Sequence, residues 1–381
     1  TIQGWIAASH HHQEWAVRFM HEGFRRRADI INSTALHLLI NAWPNNWLKA
    51  LCSVDREPLP GFFAYTDANT PLAVNLRTDR HAVTGGEEID VELWLLNDRP
   101  DAPENLRVVY WTELNGEVQV INETDARIRP VGAEFQGRLR WQTPRVEAHT
   151  PLTVRASLLD ERDAVLHDYT LDIQLWPEVD RTVLAGRSVA ILGREDGVAW
   201  RLAEWFGATP VAWGGETTAP DLVIADSADA VLGAADGLAR YVQGGGRFLG
   251  LPQPAGSEWR IGEHTVKVRS MKNKQFVSRK TGHPVVDDLD PFHFSFWYHP
   301  ELDRITHLLS AALEGDDLRP ITLTGTGLWY AARTDVPAGA EKSIGDGLAV
   351  FDQVRAVERM KDEPRAADYL ARLMRYAVRE D

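Results

Sequence analysis

One cysteine, Cys52, stands in 381 residues, which excludes an intramolecular disulfide framework and every multi-cysteine zinc site. Its plain reading is a small buried hydrophobe. No apolar run approaches the roughly 20 residues needed to cross a bilayer, so no membrane partner is expected. Lys and Arg total 41 against 55 Asp and Glu, a formal net charge of -14. That balance repels phosphate backbones, and no basic cluster is large enough to form a local groove, which makes nucleic acid a poor candidate partner. The opening Thr1-Ile2-Gln3-Gly4 has neither a Met nor the basic and apolar regions of a signal peptide. It points to a removed upstream segment and leaves localisation open. Internal repeats and low-complexity segments are also lacking.

What is present reads as a multidomain globular chain. Hydrophobic residues make up 44% and charged residues 25%, and a length of this order holds two or three units at roughly 150 residues each. Three textures follow one another, with seams near residues 70 and 178. In residues 1–70, Trp15, Phe19, Met20 and Phe24 recur at helical spacing over Gln13 to Arg27. Arg25, Arg26 and Arg27 sit near the end, where the helix dipole favours cations. The run Ala35 to Ile40 is short and continuously apolar, which predicts a parallel strand buried on both sides. A helix followed by such a strand is half of a βα repeat, too little for an independent α/β domain and suited to the tail of a barrel.

Residues 71–178 change to alternation. Ile89, Val91, Leu93 and Leu95 point one way while Asp90, Glu92 and Trp94 point the other, the period of a strand with one buried face. Further strands are expected at Leu106 to Thr112, Phe135 to Trp141, Leu152 to Leu159 and Val165 to Trp176, joined by turn residues such as Asn115-Gly116. About seven strands predict an antiparallel β-sandwich of immunoglobulin-like size. Residues 179–381 alternate strand and helix instead. The predicted strands are Ser188 to Leu192, Leu222 to Ala225 and Arg247 to Leu251. Helices are expected after Gly197, over Ala228 to Gln243, and over Pro364 to Val378. The pattern predicts a doubly wound, flavodoxin-like α/β domain.

The segment from Gln13 to Tyr65 resembles the last helix and last strand of the catalytic (β/α)8 barrel of family 2 glycoside hydrolases. The residues that carry the resemblance are Arg25-Arg26-Arg27, Asn41-Ala42-Trp43-Pro44, Cys52-Ser53-Val54-Asp55 and Pro58 through Tyr65. The chain has His37-Leu38-Leu39 where that family commonly has Tyr-Trp-Gln. Residues 180–381 resemble the glutamine-amidotransferase-like domain of some β-galactosidase and β-mannosidase relatives, through Tyr241 to Arg247, His283-Pro284-Val285-Val286, Phe296-Trp297 and Gly347 to Gln353. An amidotransferase needs a cysteine nucleophile activated by histidine. Cys52 lies outside that region, so the domain is expected to be structural.

The resemblance implies the C-terminal accessory part of a retaining exo-type β-glycosidase, with a carbohydrate substrate reached through a parent barrel. Both catalytic glutamates of that family sit on earlier barrel strands, so no catalytic residue, metal or cofactor is assigned here. Glu14 and Glu22 fall on the amphipathic helix and are expected to be solvated. Asn41, Trp43, Asn45 and Trp47 are the candidate substrate-binding residues, because an indole face stacks on a pyranose and amides bond its hydroxyls. His10-His11-His12 cannot all face one ion in regular structure. The Gly193 to Gly197 loop has the position of an anion site but lacks the G-x-G-x-x-G pattern, and Asp196 reads as a helix N-cap. The competing readings are a carbohydrate-binding module, with Trp94, Trp111 and Trp141 as an aromatic strip, and a homo-oligomerisation role for the doubly wound domain.

Overall fold

The computed structural model describes residues 1–40, 50–215, 219–270, 277, 281–289, 291–326 and 333–379. The chain divides into two compact units. One comprises Thr1–Thr78, Glu87–Thr143 and Thr150–Gln174; the other comprises Asp79–Gly86, Pro144–His149 and Leu175–Asp381.

In the first unit, helix α1 (Ile2–Arg25) starts where the Thr1 side chain accepts from the Gly4 N–H, an N-cap that satisfies an orphan donor. It is longer at its N-terminal end than its apolar spacing predicts. Helix α2 (Pro60–Ala68) opens with Pro60, whose missing N–H is unneeded there. The expected strand Ala35 to Ile40 does not form. Its backbone is held where Leu51 N–H donates to the Leu38 carbonyl at 3.1 Å and Cys52 N–H to the Leu39 carbonyl at 2.9 Å, with one parallel bridge from Ile40 to Cys52. A buried parallel strand needs strands on both sides and covered faces, and Leu39 here is 58% exposed.

The strands then run β1 (Leu72–Arg77), β2 (Ala82–Thr84), β3 (Glu88–Asn97), β4 (Leu106–Leu114), β5 (Glu117–Ala126), β6 (Gly132–Gln142), β7 (Thr150–Leu159) and β8 (Val165–Trp176). Apart from β2, which belongs to the second unit, they form two sheets, β1-β3-β6 and β8-β7-β4-β5. This is a β-sandwich, and the alternation that announced it is visible in β3, where Ile89, Val91, Leu93 and Leu95 are buried. Strand β5 escaped the sequence reading because it is an edge strand with Val118 and Ile121 exposed.

The second unit continues with β9 (Val189–Leu192), helix α3 (Val198–Trp205), β10 (Val211–Ala212), β11 (Leu222–Ala225), α4 (Ala228–Gly233), α5 (Ala235–Gln243) and β12 (Arg247–Gly250). After these come β13 (Glu258–Ile261), β14 (His264–Arg269), β15 (Tyr298–His299), β16 (Arg304–Ile305), β17 (Ala312–Glu314), β18 (Arg319–Thr326), β19 (Arg333–Ile344), β20 (Gly347–Asp352) and α6 (Pro364–Ala377). The main sheet has the order β10-β9-β11-β12-β20-β19-β18. Strands β10 to β20 in that list are parallel, and β19 and β18 add antiparallel strands at the edge. Alternate residues enter different cores. Val189, Ile191, Leu222, Ile224 and Val350 pack with α3 and α6. Ala190, Leu192, Val223, Phe248 and Phe351 pack with α4 and α5. A sheet covered on both faces explains why its strands read as unbroken apolar runs. The single helix expected over Ala228 to Gln243 is two helices meeting at Ala234.

Candidate functional site

The candidate residues Asn41, Trp43, Asn45 and Trp47 lie outside the described residues. Their flanks are described, and beside them the first unit holds a cavity of about 790 Å³. Helix α1 supplies His10, His12, Gln13, Met20 and His21 to its wall, and the segment Thr34 to His37, with Ala50, Leu59 and Tyr65, closes the rest. Gln13 Nε2 donates to the Ala50 carbonyl at 3.0 Å, fixing the helix to the chain that follows residues 41–49.

The helix is turned opposite to its apolar pattern. Phe19 and Met20 are 37% and 55% exposed, whereas His21 and Glu22 are 7% and 5%. Arg18, Glu22 and Arg26 form one stripe at i, i+4 spacing, and this polar stripe is the buried one. Glu22 Oε2 accepts from the Tyr169 hydroxyl and from Asn75 Nδ2, both at 2.7 Å, and Arg26 donates to Asn75 Oδ1 at 2.5 Å. The expectation that Glu22 is solvated is therefore wrong: the sandwich covers it. Burial pushes its carboxyl above the ordinary value, and the Tyr169 hydrogen bond opposes the shift. Glu22 does not line the cavity, and its donors hold helix to sandwich. Glu14 is 41% exposed on its side chain and meets His11 at 3.7 Å, as solvated surface should.

His21 has a defined role in the wall. Asn69 Nδ2 is spent on the Tyr65 carbonyl at 2.7 Å, so Asn69 Oδ1, 2.8 Å from His21 Nε2, accepts the imidazole proton. Nδ1 then accepts from the Thr34 hydroxyl at 3.1 Å. Burial holds this imidazole below its ordinary pKa, and a neutral ring suits both bonds. His10 and His12 line the cavity and His11 does not. No group of three metal-ligating side chains occurs among the described residues.

Two other sequence candidates resolve differently. Trp94 lies on the outward face of β3, its Nε1 donating to Glu92 at 2.9 Å. Trp141, on β6, pairs with inward-facing Ile89 of β3, and Trp111 belongs to the other sheet. They do not make one strip. In the second unit, Asp196 is not the N-cap of α3. Gly197 takes that position, and Asp226, at the end of β11, reaches over so that its Oδ2 accepts from Ala199 N–H at 3.0 Å. The position open to an anion in a strand-to-helix loop is thereby filled by a carboxylate of the chain. A Cβ on Gly193 would stand 1.9 Å from Asp226 Oδ1, and one on Gly197 2.4 Å from Oδ2. Both glycines are needed for this approach. Sequence spacing gave no hint of Asp226, which comes from a different strand. His283 is buried beside Glu341 at 3.2 Å, and His299 is buried 3.5 Å from Glu358, so both are core residues.

No family model and no curated protein matches this chain. Among solved structures, the Amycolatopsis orientalis exo-chitosanase CsxA is similar over 44% of this chain and 19% of its own, with 16% identity and a TM-score of 0.33. The CARDB domain of PF1109 from Pyrococcus furiosus is similar over 28% of this chain and 94% of its own, with 18% identity and a TM-score of 0.23. This chain spans about a fifth of the exo-chitosanase. Over part of its length, then, the chain has structural neighbours among glycoside hydrolases.

Proposed function

We propose that this chain is the C-terminal accessory part of a retaining exo-type β-glycosidase, inactive by itself. In this reading residues 1–70 end a (β/α)8 barrel, residues 71–178 are its immunoglobulin-like sandwich, and residues 179–381 are a flavodoxin-like domain related to glutamine amidotransferases. The parallel strands of the last, taken as 2-1-3-4-5 in the order β10-β9-β11-β12-β20, have the flavodoxin arrangement. Its lack of a cysteine removes the amidotransferase nucleophile. Support of the barrel and homo-oligomerisation are the roles left for it.

The observation that carries the reading is the inverted helix α1. It is anchored to the sandwich by Glu22 while Phe19, Met20 and the wall of the cavity present apolar surface outward. A barrel continuing over that face would bury it and would give Ala35 to Ile40 the neighbouring strands it lacks. Asn41, Trp43, Asn45 and Trp47 would then follow the last strand at the barrel mouth and contact the sugar. Among the described residues the cavity wall includes no Asp or Glu; in this reading the two carboxyl groups that retaining hydrolysis requires come from the remainder of the barrel. Incubation with aryl β-glycosides tests this. Release at the buffer rate is expected, and enzymatic turnover by the isolated chain would contradict it.

A further inference from the structure

The hairpin between β4 and β5 turns on Asn115 and Gly116, the one Asn-Gly pair in the sequence, and the accessory role makes no use of it. Leu114 pairs directly with Glu117, so these two residues are the whole loop. Their φ angles of 52° and 82° both lie in the left-handed region, as a type I′ turn demands and as Asn and Gly tolerate. The pair also carries a latent reaction. Only Cβ, Cα and the backbone carbonyl carbon of Asn115 separate its amide carbon Cγ from the Gly116 nitrogen, so a bond between Cγ and that nitrogen closes a five-membered ring.

The surroundings leave that closure unobstructed. Asn115 and Gly116 are both exposed, so water and hydroxide reach them. A Cβ built on Gly116 would meet nothing within 4 Å, and the glycine itself puts no side chain beside its nitrogen. The Gly116 N–H takes no part in the Leu114–Glu117 pairing, and the Asn115 amide has no hydrogen-bond partner among the described residues. Strand β5 is the edge of its sheet, so the end of the hairpin opens locally without disturbing the core. Other asparagines lack this combination. Asn75 and Asn97 are buried, their amides donating to Glu22 at 2.7 Å and to the Asp101 and Arg129 carbonyls at 2.8 and 3.0 Å. Asn32 and Asn122 are exposed, but the residues after them, Ser33 and Glu123, carry side chains that crowd the attacking nitrogen.

We infer that Asn115 is a site of spontaneous covalent modification, at which the chain deamidates through a cyclic imide. Hydroxide takes the Gly116 N–H proton, the nitrogen attacks Asn115 Cγ, and the side-chain nitrogen leaves as ammonia with a proton from water. Water then opens the ring. Attack at Cγ breaks its new bond and gives aspartate; attack at the backbone carbonyl carbon breaks the old peptide bond and gives isoaspartate. Both products add a negative charge, and isoaspartate adds one atom to the backbone of a loop whose length sets the β4–β5 register. Ageing the full chain at mildly alkaline pH, then mapping its tryptic peptides with fragmentation that separates Asn115 from Asn122, tests this. The amide-to-acid mass change is expected at Asn115 ahead of Asn32 and Asn122, faster as pH rises, with isoaspartate among the products. Asn115→Gly, which leaves a turn-compatible Gly-Gly pair, is expected to lose the first acidic band that ageing produces in isoelectric focusing. The inference is overturned if Asn115 stays intact or converts no faster than Asn32. Aspartate without isoaspartate, which means direct hydrolysis with no ring, overturns it too, as does an acidic band that persists in the folded variant. Should Asn115→Gly fail to fold, the ranking of the three asparagines within the parent chain decides.

Discussion

Two buried carboxyl groups show how much the surroundings of a single side chain decide. Asp352 ends β20 with 2% exposure, and its Oδ1 accepts from Tyr369 at 3.1 Å and from Val354 N–H at 3.2 Å. Burial pushes its carboxyl from 3.8 up to about 7. A carboxyl raised in the folded state holds its proton there more tightly than in the unfolded chain. Its contribution is complete below 3.8 and is lost as pH rises toward 7, on the order of 4 kcal/mol in all. An asparagine side chain at this position would keep both acceptor contacts without ionising. Urea midpoints of Asp352→Asn are therefore expected to fall less between pH 4 and pH 7 than those of the parent; parallel curves would exclude Asp352 as the source. Burial raises the Glu22 carboxyl as well, against the opposing pull of Tyr169, Arg18 and Asn75 around it. Tyr169→Phe deletes one donor to a buried acceptor and is expected to cost about 1–3 kcal/mol in chemical unfolding. An unchanged midpoint would mean the cluster does not anchor α1.

At the scale of elements, the join between β9 and α3 depends on Asp226. Gly193→Ala forces a Cβ into the Asp226 carboxylate and is expected to destabilise by about 1–3 kcal/mol. In an Asp226→Ala background the same substitution should cost much less, so a double-mutant cycle measures the contact directly. Additive effects would show that the glycine answers to something else. Legibility in the sequence followed the same physics. The sandwich strands were readable wherever one face was buried, as in β3 and in Val165–Trp176. The parallel strands Val189–Leu192 and Leu222–Ala225, buried on both faces, were readable as short apolar runs. Ala35 to Ile40 has the same composition without the neighbours that make such a run a strand. Glu22 was misread because a helix considered alone assigns the Arg18-Glu22-Arg26 stripe to solvent. The surface that buries it includes Tyr169, 147 residues away, and nothing local announces that. The sandwich was thus largely legible, the orientation of α1 was not, and the candidate substrate residues fall in 41–49, outside the described structure.

For the whole molecule, the net charge is -14 and, among the described residues, no helix is long and apolar enough to cross a membrane; carbohydrate and self-association are the partners that the proposed role puts to the test. Sedimentation of the full chain is expected to show a dimer or larger assembly if the doubly wound domain assembles; a strict monomer at all concentrations would count against that role. The central claim concerns what covers the outward face of α1, and it is tested most directly by intact-mass and sequence analysis of the natural gene product. Several hundred residues upstream of Thr1, including two glutamates on barrel strands, are expected. A natural chain that begins at Thr1 would contradict the accessory reading and leave a sugar-binding or assembly protein in its place.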